Sequence, residues 1–394
     1  MSDDPQAPIE RRLAARHLVQ NPLTCKEHDP EVFRLIRRHE ADLDRWFTQR
    51  LGYRLHVDAD SARLFKAVVV PHQRPLRAAS GRPFNHLEYV LLALVLASTA
   101  AGPAVISLRD LVDQIRSAAA EARIDLSDSP PERRALVQAL RWMIDHGLAT
   151  ELHAHVDAYA TDETADAVLK VRPDRIALLP LPTLVAAATS VELLDRADRR
   201  SATRQWMRCR LVEDPVLYRE DLTEAEWSEL RRRLGEEERI LDEMFGLVLE
   251  SRAEGVAAID PTGVLADQRF PTGGTVGHAA LLLLDAFRPD GDAGAAAIDV
   301  TVAMTDVHRH VADLAARFAR RWANDLVASP DRLARHVVAL LVDLRLAQRV
   351  PAPPTSPTSD RVGYLRLLPA AARVLAIVAT PDAPPAEAPQ DALW

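Results

Sequence analysis

Ser129–Ala149 reads SPPERRALVQALRWMIDHGLA, and two hundred residues later Ser329–Ala347 reads SPDRLARHVVALLVDLRLA. Both open as strong helix starts. The serine side chain accepts from the first free N–H groups, and proline at the first helical position gives up an N–H that has no partner there. Both close on D-x-x-L-A, Asp145–Ala149 and Asp343–Ala347. A loop follows each, then a short apolar strand ending in proline, VLKVRP (Val168–Pro173) and YLRLLP (Tyr364–Pro369). Upstream, each has a long apolar helix, Leu87–Ala101 in one and His278–Phe287 in the other. Each then has a capped amphipathic helix, starting at Ser107 (SLRDLVDQIR) or Thr305 (TDVHRHVADLAARF).

Helix, capped helix, third helix and ribbon, in that order, is the winged-helix plan, with the third helix across the second and the ribbon as the wing. Its double occurrence predicts a mainly α chain with short β-ribbons (α+β). Winged-helix domains are expected at residues 84–180 and 276–380. Residues 1–83 read as an N-terminal extension: helix over 10–50, Gly52 as a stop, then a strand pair near 53–58 and 62–70. Residues 181–275 read as a structured connector, with a charged helix from Thr223 to Phe245 and a hairpin within Gly246–Ala266. His72–Pro83 is a basic connector, Pro351–Asp360 a loop tip, and 381–394 a disordered Pro/Ala-rich tail.

The chain has 394 residues, 48% of them apolar and 27% charged, and a formal net charge of −8. That composition fits a soluble globular protein without a global attraction to nucleic acid, so any DNA contact must come from a local patch. Cys25 and Cys209 are the two cysteines; they build neither a disulfide framework nor a structural zinc site, and a cytoplasmic location is expected. The longest apolar run, Tyr89–Ala101, is short of the roughly 20 residues that span a bilayer, and the N-terminus lacks a signal-peptide pattern.

Catalytic motifs are missing: there is no GxxxxGK[ST], HExxH, GxSxG or dinucleotide fingerprint. Pro271–Thr275 (PTGGT) lacks the lysine of a phosphate loop and reads as a turn. His153, His155 and Asp157 alternate and would share one face of a strand, as a metal site or as the polar face of a wing; the polar face is the expectation. His308 and His310 fall on different faces of a helix, and Glu236–Glu238 form a solvated face. A non-enzymatic protein without cofactor or metal is expected.

Basic residues cluster locally. Arg196, Arg199, Arg200, Arg204, Arg208 and Arg210 crowd one segment. Arg133, Arg134 and Arg141 lie on the first third helix, with Lys170 and Arg172 on its wing. Arg332, Arg335 and Arg345 are their second-copy counterparts, with Arg361 and Arg366 near that wing. Third helix and wing are where a winged helix meets phosphates. Yet neither third helix offers an Asn/Gln/Arg face suited to reading bases, so backbone contact is expected at Arg133, Arg134, Arg141, Lys170, Arg172, Arg332, Arg335, Arg345, Arg366, Arg199, Arg200 and Arg204.

Glu31–His39 (EVFRLIRRH), Trp46-Phe47 and Leu51–Leu55 (LGYRL) resemble the N-terminal signature of the B subunits of type II Wadjet systems. These are bacterial anti-plasmid complexes related to the MukBEF condensin. Gly81–Phe84, Leu211–Tyr218 (LVEDPVLY), Arg252–Val256, Asp260-Pro261 and Arg269–Thr275 extend the resemblance over roughly 20–375. It implies a MukE-like KITE protein: tandem winged helices, no catalytic site, usually a homodimer. Such a subunit binds a kleisin-type A subunit beneath the heads of an SMC ATPase. ATP hydrolysis then belongs to the SMC subunit, and DNA cleavage to a Toprim-type nuclease subunit. The N-terminal extension becomes the expected contact surface through Phe33, Trp46, Phe47, Tyr53 and Leu55, its strand open to edge addition. The rival is a stand-alone winged-helix transcription regulator.

Overall fold

The structure is a computed structural model that describes residues 5–66, 75–180, 187–197, 200, 202–214, 216–271, 273–287, 300–351 and 363–374. It is an α+β protein whose strands form small antiparallel three-stranded sheets. The chain divides into two compact units. One comprises Met1–Asp214, Leu222–Glu250 and Ala258–Leu265; the other comprises Pro215–Asp221, Ser251–Ala257 and Ala266–Trp394.

The first elements are α1 (Ala7–Gln20), β1 (Leu23–Cys25), α2 (Pro30–Arg38) and α3 (Glu40–Trp46). A π turn over Phe47–Leu51 leads to Gly52, whose φ of 68° is left-handed, and then to β2 (Arg54–Val57) and β3 (Ser61–Phe65). The single helix expected over 10–50 is thus broken. Asn21-Pro22 ends the first piece, and Leu23–Cys25 leaves as a strand pairing with Arg63, Ala62 and Ser61.

Next come α4 (His86–Ala100), β4 (Val105–Ser107), α5 (Leu108–Glu121), α6 (Pro130–Asp145), β5 (Ala149–His153) and β6 (Val168–Val171). Their sheet runs β4-β6-β5. Asn85 and Ser129 each make a capping box, with Glu88 and Glu132 respectively. The three helices bury one core, including Leu91, Val95, Leu111, Ile115, Leu136, Leu140 and Met143. Two shorter helices follow, α7 (Pro173–Ile176) and α8 (Ser190–Ala197).

Then α9 (Thr203–Glu213), β7 (Val216–Tyr218), α10 (Glu224–Phe245), β8 (Val248–Arg252) and β9 (Gly255–Ile259) repeat the opening pattern. Thr223 caps α10 in a box with Glu226, and Gly246 ends it at φ 69°. The sheet order β7-β9-β8 is that of β1-β3-β2. Residues 1–83 and 181–275, read from sequence as an extension and a connector, therefore share one plan: helix, strand, helix, left-handed glycine, hairpin. The helix–glycine–ribbon at the N-terminus is the first copy of a module used twice.

The rest repeats as well. α11 (Thr275–Ala286), β10 (Val300–Ala303), α12 (Met304–Arg317), α13 (Asn324–Val327), α14 (Pro330–Asp343), β11 (Ala347–Val350) and β12 (Tyr364–Leu367) form a sheet ordered β10-β12-β11. Buried Ala135, Leu136, Ala139, Leu140 and Met143 match buried Leu333, Ala334, Val337, Val338 and Leu341 at a spacing of 198 residues. The repeat thus registers on its buried stripe and its D-x-x-L-A ending, and α6 is longer than α14 at its N-terminus. Sequence reading missed the opening strands β4 and β10, and α12 is capped at Ala303 rather than at Thr305.

Candidate functional site

The residues proposed from sequence as partner contacts are core. Phe33 is 2% exposed, Phe47 0%, Tyr53 1% and Leu55 8%; Trp46 is half-buried, with the Arg11 guanidinium 5.6 Å from its ring. Period-3.6 apolar residues followed by alternating ones are what a helix and strand need to bury a face, so the pattern marked packing. Tyr53 donates its hydroxyl proton to Glu213 at 2.9 Å, and Lys66 pairs with the same carboxylate. Arg208 binds Glu237 through two hydrogen bonds of 2.6 and 2.7 Å, both side chains 6% exposed, and also donates to the carbonyl of Arg50. One donor of the strand edge is used as well: the backbone N–H of Leu55 on edge strand β2 donates to the Asp44 carboxylate at 3.2 Å.

Most of the arginines offered for phosphate contact hold the protein's own carboxylates. Arg133 donates to the Asp128 carbonyl and to Glu163, and its side chain is 12% exposed. Arg141 grips Asp157 with two nitrogens and reaches Glu151 at 3.4 Å. Glu163 and Asp157 lie between β5 and β6, where a 3-10 turn over Val156–Ala160 packs along α6, and Glu151 lies on β5. Arg172 pairs with Asp60, Glu27 and Asp174; next to it buried Arg175 pairs with Glu27 and Asp60 and donates to the carbonyl of Gly147 at 2.8 Å. Burial works against the charged forms of Glu27 and Asp60, but hydrogen bonds and the two guanidinium charges outweigh it and hold both carboxyls below their usual range.

The same holds further on. Arg200 binds Glu226 at 2.6 and 2.9 Å and lies 4.8 Å from the Trp206 ring. The Arg200 hydrogen bonds, with those from Thr223, pull the Glu226 carboxyl down to about 2 against the opposing effect of burial. Arg204 reaches Glu229 at 3.3 Å but remains 58% exposed. In the second copy Arg345, at a left-handed φ of 54°, pairs with Asp221, and its carbonyl accepts from the Tyr218 hydroxyl at 2.7 Å. Arg366 pairs with Glu220. Arg199 and Arg361 lie outside the described residues. What stays exposed besides Arg204 is Arg134, Lys170, Arg332 and Arg335, with Arg332 touching Asp325 at 3.5 Å.

Sequence reading passed over a second group. Arg317, Arg320 and Arg321, at the end of α12 and in the turn after it, are all exposed. Their signal was RFARRW (Arg317–Trp322), three arginines within five residues and outside the third helix where contacts were sought. Exposed apolar side chains include Ile9 (62%) and Leu13 (53%), one turn apart on α1, and Val191 and Leu194 on α8.

The alternating histidines do not share a face. β5 ends at His153, Ala154 takes a left-handed φ of 54°, and His155 bonds Glu151 while Asp157 holds Arg141. His308 bonds Asp331, and His310 packs on Phe287. Cys209 is buried, which pushes its thiol up to about 12, and burial also raises Cys25. A cleft lined by Leu91, Val112, Ile115, Tyr159 and the Arg116–Asp128 pair holds about 30 Å³, room for a water rather than a metabolite.

These features define a duplicated α+β protein in which most of the charges predicted to meet a ligand instead join its own elements. The chain belongs to the DUF2398 family, described as a protein of unknown function, whose profile covers residues 15–376. No curated protein matches it.

Proposed function

We propose that this chain is a non-catalytic, cytoplasmic, tandem winged-helix subunit of the MukE-like KITE class. In this reading it docks a kleisin-type subunit beneath an SMC-type ATPase and helps hold DNA in an anti-plasmid complex. The observation that carries the reading is the order helix, strand, helix, helix, two strands, found twice with the third strand between the other two. That is the winged-helix order, and a chain with two copies fits the class the sequence resembles.

The pairing of Arg141, Arg172, Arg345 and Arg366 with carboxylates weighs against the rival, a stand-alone transcription regulator. Such a protein needs a polar helix face free to enter a groove and read base edges. The exposed positions of α14 are instead Asp331, Arg332, Arg335, His336, Ala339 and Asp343, suited to charge rather than to base reading. The test is co-expression of the full chain with the kleisin-type and SMC-type subunits that the resemblance implies, followed by size-exclusion chromatography with light scattering. A stable complex through the kleisin-type subunit is expected. Elution of this chain by itself at micromolar concentration, with folding intact, would remove the reading.

A further inference from the structure

The two copies differ most at the turn between their second and third helices. Over residues 311–336 the second copy carries five arginines against three aspartates, whereas the matching first-copy stretch, 113–138, carries four arginines against five carboxylates. Position matters as much as number. Val137 of α6 is 3% exposed, while its counterpart on α14 is the exposed Arg335. In the first copy Asp128 of that stretch pairs with Arg116, and beyond it Glu163 pairs with Arg133 and Asp157 with Arg141. In the second copy Asp325 reaches Arg332 at 3.5 Å, and Asp331 is held by His308 at 3.1 Å. Exposed Asp313 lies one turn before Arg317 without bridging to it. Arg317, Arg320, Arg321 and Arg335 make no ion pair among the described residues.

The turn that carries three of them is firmly built. Phe318 and Trp322 stack with centroids 5.2 Å apart, and the Trp322 indole N–H donates to Nδ1 of His278 at 3.2 Å. The backbone N–H of Ala323 donates to the Thr275 hydroxyl at 2.8 Å. Arginines on a fixed turn lose less freedom when they meet a ligand. A helix end, a turn that includes the short α13 and the open face of α14 follow one another along the chain, an order akin to that with which helix-turn-helix proteins straddle a duplex backbone.

We propose that the second copy, through Arg317, Arg320, Arg321, Arg332 and Arg335, is the surface that contacts the phosphates of duplex DNA, and that the first copy is closed to DNA by its own acidic inter-strand turn. The orientation rests on the winged-helix reading above; the charge asymmetry does not. Contact is with the backbone and is insensitive to sequence.

The experiment uses the full chain and fluorescence anisotropy with two unrelated duplexes of about 40 base pairs, in a salt series from about 25 to 200 mM. The wild type should bind both duplexes alike. The variant R317E/R320E/R321E should bind at least about tenfold more weakly at low salt, with a salt slope shallower by up to about 0.9 for each phosphate no longer neutralised. R134E/K170E, which reverses two exposed first-copy charges on α6 and β6, should stay within about twofold of wild type. Thermal melts should be unchanged in both variants, since every altered side chain is exposed. The inference is overturned if the wild type does not bind duplex at low salt, if the first-copy variant is the one that loses binding, or if a poly-glutamate peptide binds the turn while duplex does not. Loss of kleisin binding with this pattern intact would sink the proposed function and leave the DNA surface standing.

Discussion

Replacing Gly147 with alanine should cost about 2–4 kcal/mol, and the cost should depend on Cys25. Gly147 ends α6 at φ +69°, and a left-handed alanine costs roughly 1 kcal/mol or somewhat more. The added Cβ would lie 2.6 Å from Cys25 Sγ and 3.2 Å from both Cys25 Cβ and an Arg175 guanidinium nitrogen. Neither neighbour can withdraw. Cys25 is 2% exposed on a strand paired to β3, and Arg175 is held by Glu27, Asp60 and the Gly147 carbonyl. Overpacking of this kind adds about 1–3 kcal/mol. In a Cys25→Ala background the closest atom is gone, so the same substitution should cost about 1–2 kcal/mol, leaving a coupling of about 1–2 kcal/mol between the two sites. Urea unfolding of wild type, both single variants and the double variant measures this coupling. Additive costs would show that β1 does not sit against the end of α6, and the N-terminal module would then be a loose appendage, free to offer the contacts that its burial denies.

Three further outcomes follow from buried chemistry. Arg208→Met or Glu237→Gln alone should destabilise by about 3–5 kcal/mol, and the R208M/E237M pair should recover most of it, because a lone buried charge is what costs; urea unfolding again decides. Glu226 has its folded-state pKa depressed from 4.5 to about 2, so it stabilises fully above the unfolded value and that share is lost as pH falls from about 4.5 toward about 2. Glu226→Gln should flatten the melting-temperature profile in that window and leave its shape above it unchanged. With both thiols buried and raised, iodoacetamide at pH near 8 should label neither Cys25 nor Cys209 in the folded chain and both in urea, as read by mass spectrometry.

The long elements were legible because their signals are local. Thr223 with Glu226, a charged helix and Gly246 mark α10, as Ser129 with Glu132 marks α6. The three-residue strands were not legible. β1 finds its partner in Ser61–Arg63 and β4 in Val168–Lys170, so neither run is long enough to show a period and neither partner is nearby in sequence. The doubling of the N-terminal module was hidden for the same reason, since β1 and β7 are what make the two sheets alike. Arginine roles were the least legible. Whether Arg141 faces a phosphate or Asp157, and whether Arg366 faces a groove or Glu220, depends on acids brought close by folding. The apolar residues Phe33, Phe47, Tyr53 and Leu55 were visible as a pattern, but a pattern does not say whether a face is covered by the same chain or by another.

Reconstitution tests the account most directly. The SMC-type ATPase, the kleisin-type subunit and the nuclease subunit are assembled with and without this chain, and linearisation of a circular plasmid is measured in the presence of ATP. The account predicts that the chain alone neither hydrolyses ATP nor cuts DNA, and that the assembly cuts plasmid only when the chain is present. ATP turnover or cleavage by the purified chain, or full plasmid cleavage by the assembly without it, would contradict the account.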